Sequence, residues 1–162
     1  MNKAQVYEFL KQKNIEHEIT EHQAVYTMGE LFGVEVPYPE CDAKNLFVRD
    51  DKHDKYYLIT VKGDKRVNLK EFRKEHGTRP LTFASADELM QIMALIPGSV
   101  SPFGLFNDQN KIVKFYIDEE FFLSPGKIGI HPNENTATVW LNAVDLVSLI
   151  AEHGNTIEKI KL

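Results

Sequence analysis

Apolar positions along this chain recur in two rhythms, one near three and a half residues and one of two. Val6, Phe9 and Leu10 keep helical spacing, which predicts a first helix from about Lys3 to Lys13. "IEHEIT" alternates and predicts a short strand. In "TMGELFG", Thr27 stands three residues before Glu30, the spacing of a capping box at the start of a short helix. "VEVPYPECD" is broken by prolines and reads as a surface loop. "KNLFVRD" and "KYYLITV" are apolar runs joined by the polar "DKHDK", which predicts a hairpin. "NLKEFRKEHG" reads as a helix ended by Gly77, "RPLTFAS" as a strand, and "SADELMQIMAL" as a helix capped by Ser85 with Glu88 three residues on. "KIVKFYID", "KIGIH" and "TATVWL" predict three strands, "AVDLVSLIAEHG" a helix stopped by Gly154, and "TIEKIKL" a last strand.

The resulting order is α-β-α-β-β-α-β-α-β-β-β-α-β, which lacks the strict alternation of a doubly wound parallel sheet. It predicts an α+β fold: a curved, mixed, largely antiparallel sheet covered by helices. No repeat or linker interrupts residues 1–162, so one compact domain is expected. One stretch obeys neither rhythm. "PGSVSPFGLFND", Pro97 to Asp108, holds two prolines, two glycines, two serines and two phenylalanines. It is a stiff, glycine-hinged loop with bulky apolar groups that a plain connection does not need.

Composition narrows the setting. With 43% hydrophobic and 27% charged residues, the chain is long enough to bury a core without staples. A single cysteine, Cys41, cannot form an internal disulfide and fits a reducing cytoplasm. "MNKAQVYEFLKQKN" mixes charge into its apolar stripe, unlike a signal peptide, and no apolar run is long enough for a membrane span. The formal charge of −5 argues against a uniform nucleic-acid coat. Lys44 to Arg79, however, carries eleven Lys or Arg against six Asp or Glu, so a local +5 sits on a remainder of −10.

Familiar reaction centres are missing. The chain has neither a G-x-x-x-x-G-K-[ST] phosphate loop nor a G-x-G-x-x-G fingerprint. Its six histidines show no metal spacing, and Ser99 and Ser101 do not sit in a G-x-S-x-G elbow. A metal hydrolase or a serine hydrolase would need long-range pairing that the sequence does not show, and no cofactor is expected. What remains are polar groups at the edges of apolar segments. Lys44 and Asn45 open a strand, where a lysine offers a cation with three donors to a phosphate or carbonyl. His131 stands before Pro132 and a turn containing Asn133, Asn135 and Thr136. Each of these also reads as an ordinary surface or turn residue.

Taken together, the segments "KNLFVRD", "YYLITVKGDKRVNLKEF", "FASADELMQIMALIPGSVSPFGLFND" and "HPNENTATVWL" resemble the bacterial prolyl-tRNA editing family. These are YbaK-like aminoacyl-tRNA deacylases related to the editing domain of many bacterial prolyl-tRNA synthetases. The similarity runs in order over almost the whole chain and looks closest to the free-standing branch that clears alanine from proline tRNA. "GVEVPYPECD", ahead of Lys44, does not align residue by residue. The resemblance implies a compact α+β fold with a mixed sheet, no metal and no covalent intermediate. It equates Lys44 with the family's lysine, Gly98 to Pro102 with its G-x-x-x-P loop, and His131 with its histidine.

On that basis the expected substrate is a small amino acid esterified to tRNA. Gly98 lets a ligand approach the backbone and Pro102 stiffens the loop. The N–H groups of Ser99, Val100 and Ser101 are expected to face the developing oxyanion, with Val100 and Phe103 as pocket walls. Lys44 would bind the terminal phosphate or ribose. Asn45 and His131, with Asn135 and Thr136 in the adjoining turn, would hold the aminoacyl group or the attacking water. Partners are then the acceptor end of proline tRNA and, as an open second one, prolyl-tRNA synthetase. Deacylation of Cys- or Ser-charged tRNA, and a non-catalytic module docking through Lys44–Arg79, are the alternatives.

Overall fold

The computed structural model describes residues 1–24 and 35–162; the helix expected at Thr27 and Glu30 lies outside them. The remaining elements follow in the expected order. Helix α1 (Lys3–Gln12) begins at Asn2, whose side chain accepts from Gln5 N while the Gln5 side chain returns to the Asn2 backbone. Strand β1 (His17–Glu21) follows, and the proline-broken loop contains one short 3-10 turn, Pro39–Cys41. Strands β2 (Ala43–Asp50) and β3 (Tyr56–Lys62) form the expected antiparallel hairpin. Helix α2 (Leu69–His76) is capped by Asn68 and ends at Gly77 with φ 66°, a left-handed conformation in which glycine avoids Cβ strain. Strand β4 (Leu81–Phe83) leads to α3 (Ala86–Met93), with the Ser85–Glu88 capping box in place.

Strand β5 (Val113–Asp118), β6 (Lys127–Ile130) and β7 (Ala137–Asn142), helix α4 (Ala143–His153) and strand β8 (Ile157–Ile160) complete the domain. The strands divide into two sheets, ordered β4-β2-β3-β5-β8 and β1-β7-β6. The β3–β5 and β5–β8 pairs are parallel, whereas the three-stranded sheet is wholly antiparallel. A parallel bridge between Asp42 and Gly129 ties the start of β2 to β6.

Strand alternation decides which face each side chain covers. Phe47, Leu58, Phe115 and Ile117 of the five-stranded sheet share the main core with Ile128, Ile130, Val139 and Leu141 of the smaller sheet and with Val6, Leu10, Leu89 and Leu146 of the helices. The opposite face of the larger sheet carries a second cluster, in which Val48, Tyr57, Ile59, Val61 and Tyr116 pack with Phe72 of α2. On the smaller sheet, Trp140 lies so closely over Gly129 that a Cβ there would meet its ring at 2.2 Å. The Trp140 Nε1–H donates to the Thr20 hydroxyl at 3.0 Å.

Candidate active site

The stiff loop resolves into two functions. Gly98, at φ 91°, supplies the left-handed turn that starts it. Ser99 is buried and its N–H donates to Ile96 O at 3.1 Å, so this amide is committed to the turn rather than open to an oxyanion. Ser101 caps a 3-10 helix over Pro102–Asn107, its Oγ accepting from Phe103 N at 3.2 Å. Pro102 occupies the first turn, where its missing N–H costs nothing. Phe103 is fully buried within the main core. It is therefore a structural anchor instead of a pocket wall, because the 3-10 turn rolls its ring inward with Leu105 and Phe106. Val100 is half-buried against the same core, and the N–H groups of Val100 and Ser101 form no hydrogen bond with described residues.

The loop is fastened to the predicted histidine. The Ser101 hydroxyl donates to His131 O at 2.6 Å. The His131 ring is turned by its own bond, Nδ1–H donating to Ala137 O at 3.0 Å, which leaves Nε2 as the lone-pair nitrogen of the neutral ring. Burial pushes the His131 pKa below the ordinary histidine value, with a smaller push the same way from His22 and a partial offset from the Ala137 bond. The imidazole is thereby kept neutral at physiological pH.

His22 escaped the sequence reading. Its ring meets that of His131 edge-on, centroids 6.3 Å apart. Its Nδ1–H donates to Gln23 O, and its Nε2 accepts from the Thr138 hydroxyl at 3.0 Å. The only sequence signal is its place two residues after Thr20, on the same face of the alternating segment. In the turn, Asn133 takes φ 65° and donates from Nδ2 to Met1 O. Asn135 is buried. The Thr136 hydroxyl accepts from Lys3 Nζ at 3.1 Å, and its carbonyl from His22 N.

Lys44 and Asn45 point to opposite faces of β2. Lys44 Nζ donates to Lys65 O; the ammonium has two further donors. Asn45 Oδ1 accepts from the Thr60 hydroxyl at 2.6 Å. The Asp42–Gly129 bridge is parallel, so Lys44 and His131, each two residues on, leave it in the same direction. Asp42 was also missed. Burial raises its carboxyl pKa to about 6, against a lowering bond from Ala43 N–H. Of three clefts formed by described residues, the largest, about 560 Å³, lies around Tyr57, His76 and Lys114, and a second of about 490 Å³ is lined by Asp42 with Glu40, Lys62 and Asp64. Among the described residues no three His, Cys, Asp or Glu side chains are grouped as a metal would need, and no helix is long and apolar enough to cross a membrane.

Comparison with known proteins settles the lineage. The model of the aminoacyl-tRNA editing domain matches residues 22–149, a span that holds the lysine, the loop and the histidine. The chain belongs to the aminoacyl-tRNA editing domain family. It is 35% identical over 153 residues to the prolyl-tRNA editing protein ProX of Acetoanaerobium sticklandii, covering 94% of this chain and 93% of that one. It is 32% identical over 145 residues to the prolyl-tRNA synthetase associated domain-containing protein 1 of Mus musculus, covering 87% and 85%. A solved structure described as a candidate trans-editing enzyme for prolyl tRNA synthetase superposes with a TM-score of 0.69 at 21% identity, covering 100% of this chain and 98% of its own. The hypothetical protein APE2540 superposes at 0.66 with 22% identity, covering 94% and 95%. As an editing-domain protein, the chain is an aminoacyl-tRNA deacylase on the prolyl-tRNA editing fold.

Proposed function

We propose that this editing-domain protein hydrolyses the alanyl ester of mischarged proline tRNA, acting in trans. The observation that carries the reading is the 2.6 Å bond from Ser101 to His131 O, which holds the G-x-x-x-P loop and the histidine turn as one unit. Water attacks the ester carbonyl carbon, its proton passing to His131 Nε2. The carbonyl oxygen gains charge toward the Val100 and Ser101 N–H groups, a contribution of about 3 kcal/mol for one such donor. The tetrahedral centre collapses by breaking the bond to the ribose oxygen, which takes the proton back from His131. Lys44 orients the terminal phosphate, and Asn45 and the Asn135–Thr136 turn hold the substrate's polar groups. Thr136 has its hydroxyl engaged by Lys3, so it contributes through shape.

Alanine is the error a proline site admits, since a few missing methylenes cost only about 1–3 kcal/mol of discrimination. A second site too tight for proline corrects it by exclusion, and Val100 is the wall assigned to that task. The test is a panel of tRNAs charged with alanine, serine, cysteine and proline. Alanine is expected to be released and proline to survive; Val100→Ala is expected to admit larger esters. Hydrolysis of the proline ester at the alanine rate, or tRNA binding without any release, overturns the reading.

A further inference from the structure

The charges on α2 are sorted by sign onto different faces of the helix. At about 100° per residue, with Phe72 pointing into the second cluster, Lys70 and Lys74 each lie about 20° from the outward pole. Arg73 falls on one flank, Glu71 and Glu75 on the other. Both i,i+4 pairs, Lys70–Lys74 and Glu71–Glu75, are therefore like-charged, which is unfavourable where opposite charges at that spacing would stabilise. Lys70 stands in the first turn, where the helix dipole disfavours a cation, while Glu71 in the first turn and Arg73 and Lys74 in the last suit the dipole. Arg66, Lys70, Arg73 and Lys74 are all exposed. Among the described residues none of the four has an ion-pair partner, whereas Lys3, Lys13, Arg49, Lys65, Arg79 and Lys114 each face a carboxylate.

This basic stripe begins at the candidate site. Lys44, Leu46 and Val48 share one face of β2 by alternation, and Leu46 and Val48 pack in the cluster beneath α2. Lys44 itself reaches Lys65 O, one residue before Arg66. From there α2 runs about 12 Å, a length over which a nucleic-acid strand presents several phosphates. Against the acidic remainder of the chain the outward face of α2 is locally positive, with Glu71 and Glu75 set to one flank.

We propose that the outward face of α2, with Arg66 ahead of it, carries the sugar-phosphate backbone of the tRNA leading away from the esterified end. This rests on the deacylase reading for its ligand, but its test does not need turnover. Binding of uncharged proline tRNA is measured by fluorescence anisotropy between 50 and 200 mM salt for the whole protein and for K70Q/R73Q/K74Q. The triple variant is expected to bind about tenfold more weakly or worse, with the slope of log affinity against log salt reduced by about 2 to 3. K11Q, on α1, is expected to change neither. A second variant, K70E/E75K, keeps net charge while placing a glutamate four residues before a lysine at both i,i+4 spacings and acids, not a cation, in the first turn. It is expected to raise the melting temperature and weaken tRNA binding together, which a purely structural helix would not do. Affinity within twofold of the parent and an unchanged salt slope in both variants overturn the proposal. Failure of the parent to release alanine while these binding differences hold would sink the alanyl-ester reading alone.

Discussion

Two polar clusters in this molecule are built on opposite principles. Around Glu88 every lone pair is used. Oε1 accepts from Arg49 Nε and Ser85 N, each at 3.0 Å, and Oε2 from the Tyr56 hydroxyl at 2.6 Å and His53 at 3.3 Å. Burial alone would raise this carboxyl, yet those bonds bring it down to about 2. Around His131 the same kinds of atoms are half engaged. Nδ1 is fixed but Nε2 has no partner among the described residues, Ser101 is tied while its N–H and that of Val100 have no described partner, and Lys44, on the strand that the Asp42–Gly129 bridge ties to β6, faces a carbonyl instead of a carboxylate. A saturated cluster stabilises one conformation; a fixed but unsaturated one holds donors and acceptors ready for a ligand. Polarity is common to both, and satisfaction separates them.

The comparison can be broken most directly at Lys44. Lys44→Ala is expected to lose 100-fold or more in kcat/KM, about 3 kcal/mol, with an unchanged circular dichroism spectrum; full activity would remove the lysine from the site. Glu88→Gln should do the reverse, costing about 2 kcal/mol of stability at pH 7 while deacylation stays within twofold. Because Glu88 is depressed in the fold, its contribution is present above about pH 4.5 and fades as pH falls toward about 2. Denaturant titrations of parent and variant across that range should therefore converge on the acid side.

Asp42 has the opposite sign. Its folded pKa is raised from 3.8 to about 6, so its ionisation opposes folding as pH rises through that interval. Asp42→Asn is expected to be more stable than the parent by about 1–2 kcal/mol at pH 8, after allowance for partial exposure. The gain should vanish below about pH 4; a constant difference across pH would refute the assignment. The smallest effect is expected for Ser101→Ala, which loses one hydrogen bond and one cap for about 1 kcal/mol. If the loop–histidine tether matters for chemistry, the same variant loses about tenfold in kcat at saturating substrate. A stability loss with intact kcat would reduce Ser101 to the structural role of the Glu88 cluster.

Much of the architecture was legible because it is written locally. The Ser85–Glu88 capping box, the Gly77 and Gly154 stops and the β2–β3 hairpin depend on residues within a few positions of one another. The division into two sheets was not, since it turns on which distant strands pair: β3 with β5 in parallel, and β1 with β7. The site was legible as a set of residues and less so as an arrangement. Phe103 reads as a pocket wall in a glycine-rich loop, but only the 3-10 turn reveals that its ring enters the core. His22 and His131 are too far apart in sequence for any spacing rule to join them, and β-strand pairing brings their rings edge to edge.

By itself, the sequence determined the identity and order of the described elements, the glycine-hinged and proline-stiffened character of the loop, and the family likeness carried by the lysine, the loop and the histidine. Tertiary structure decided which groups were spent and which were spare: the Ser99 amide and the Phe103 ring went to the fold, while His131 Nε2 has no partner among the described residues. The physical reason is that propensity and capping act over a few residues, whereas burial and hydrogen-bond satisfaction depend on whatever distant segment arrives to cover or pair each group.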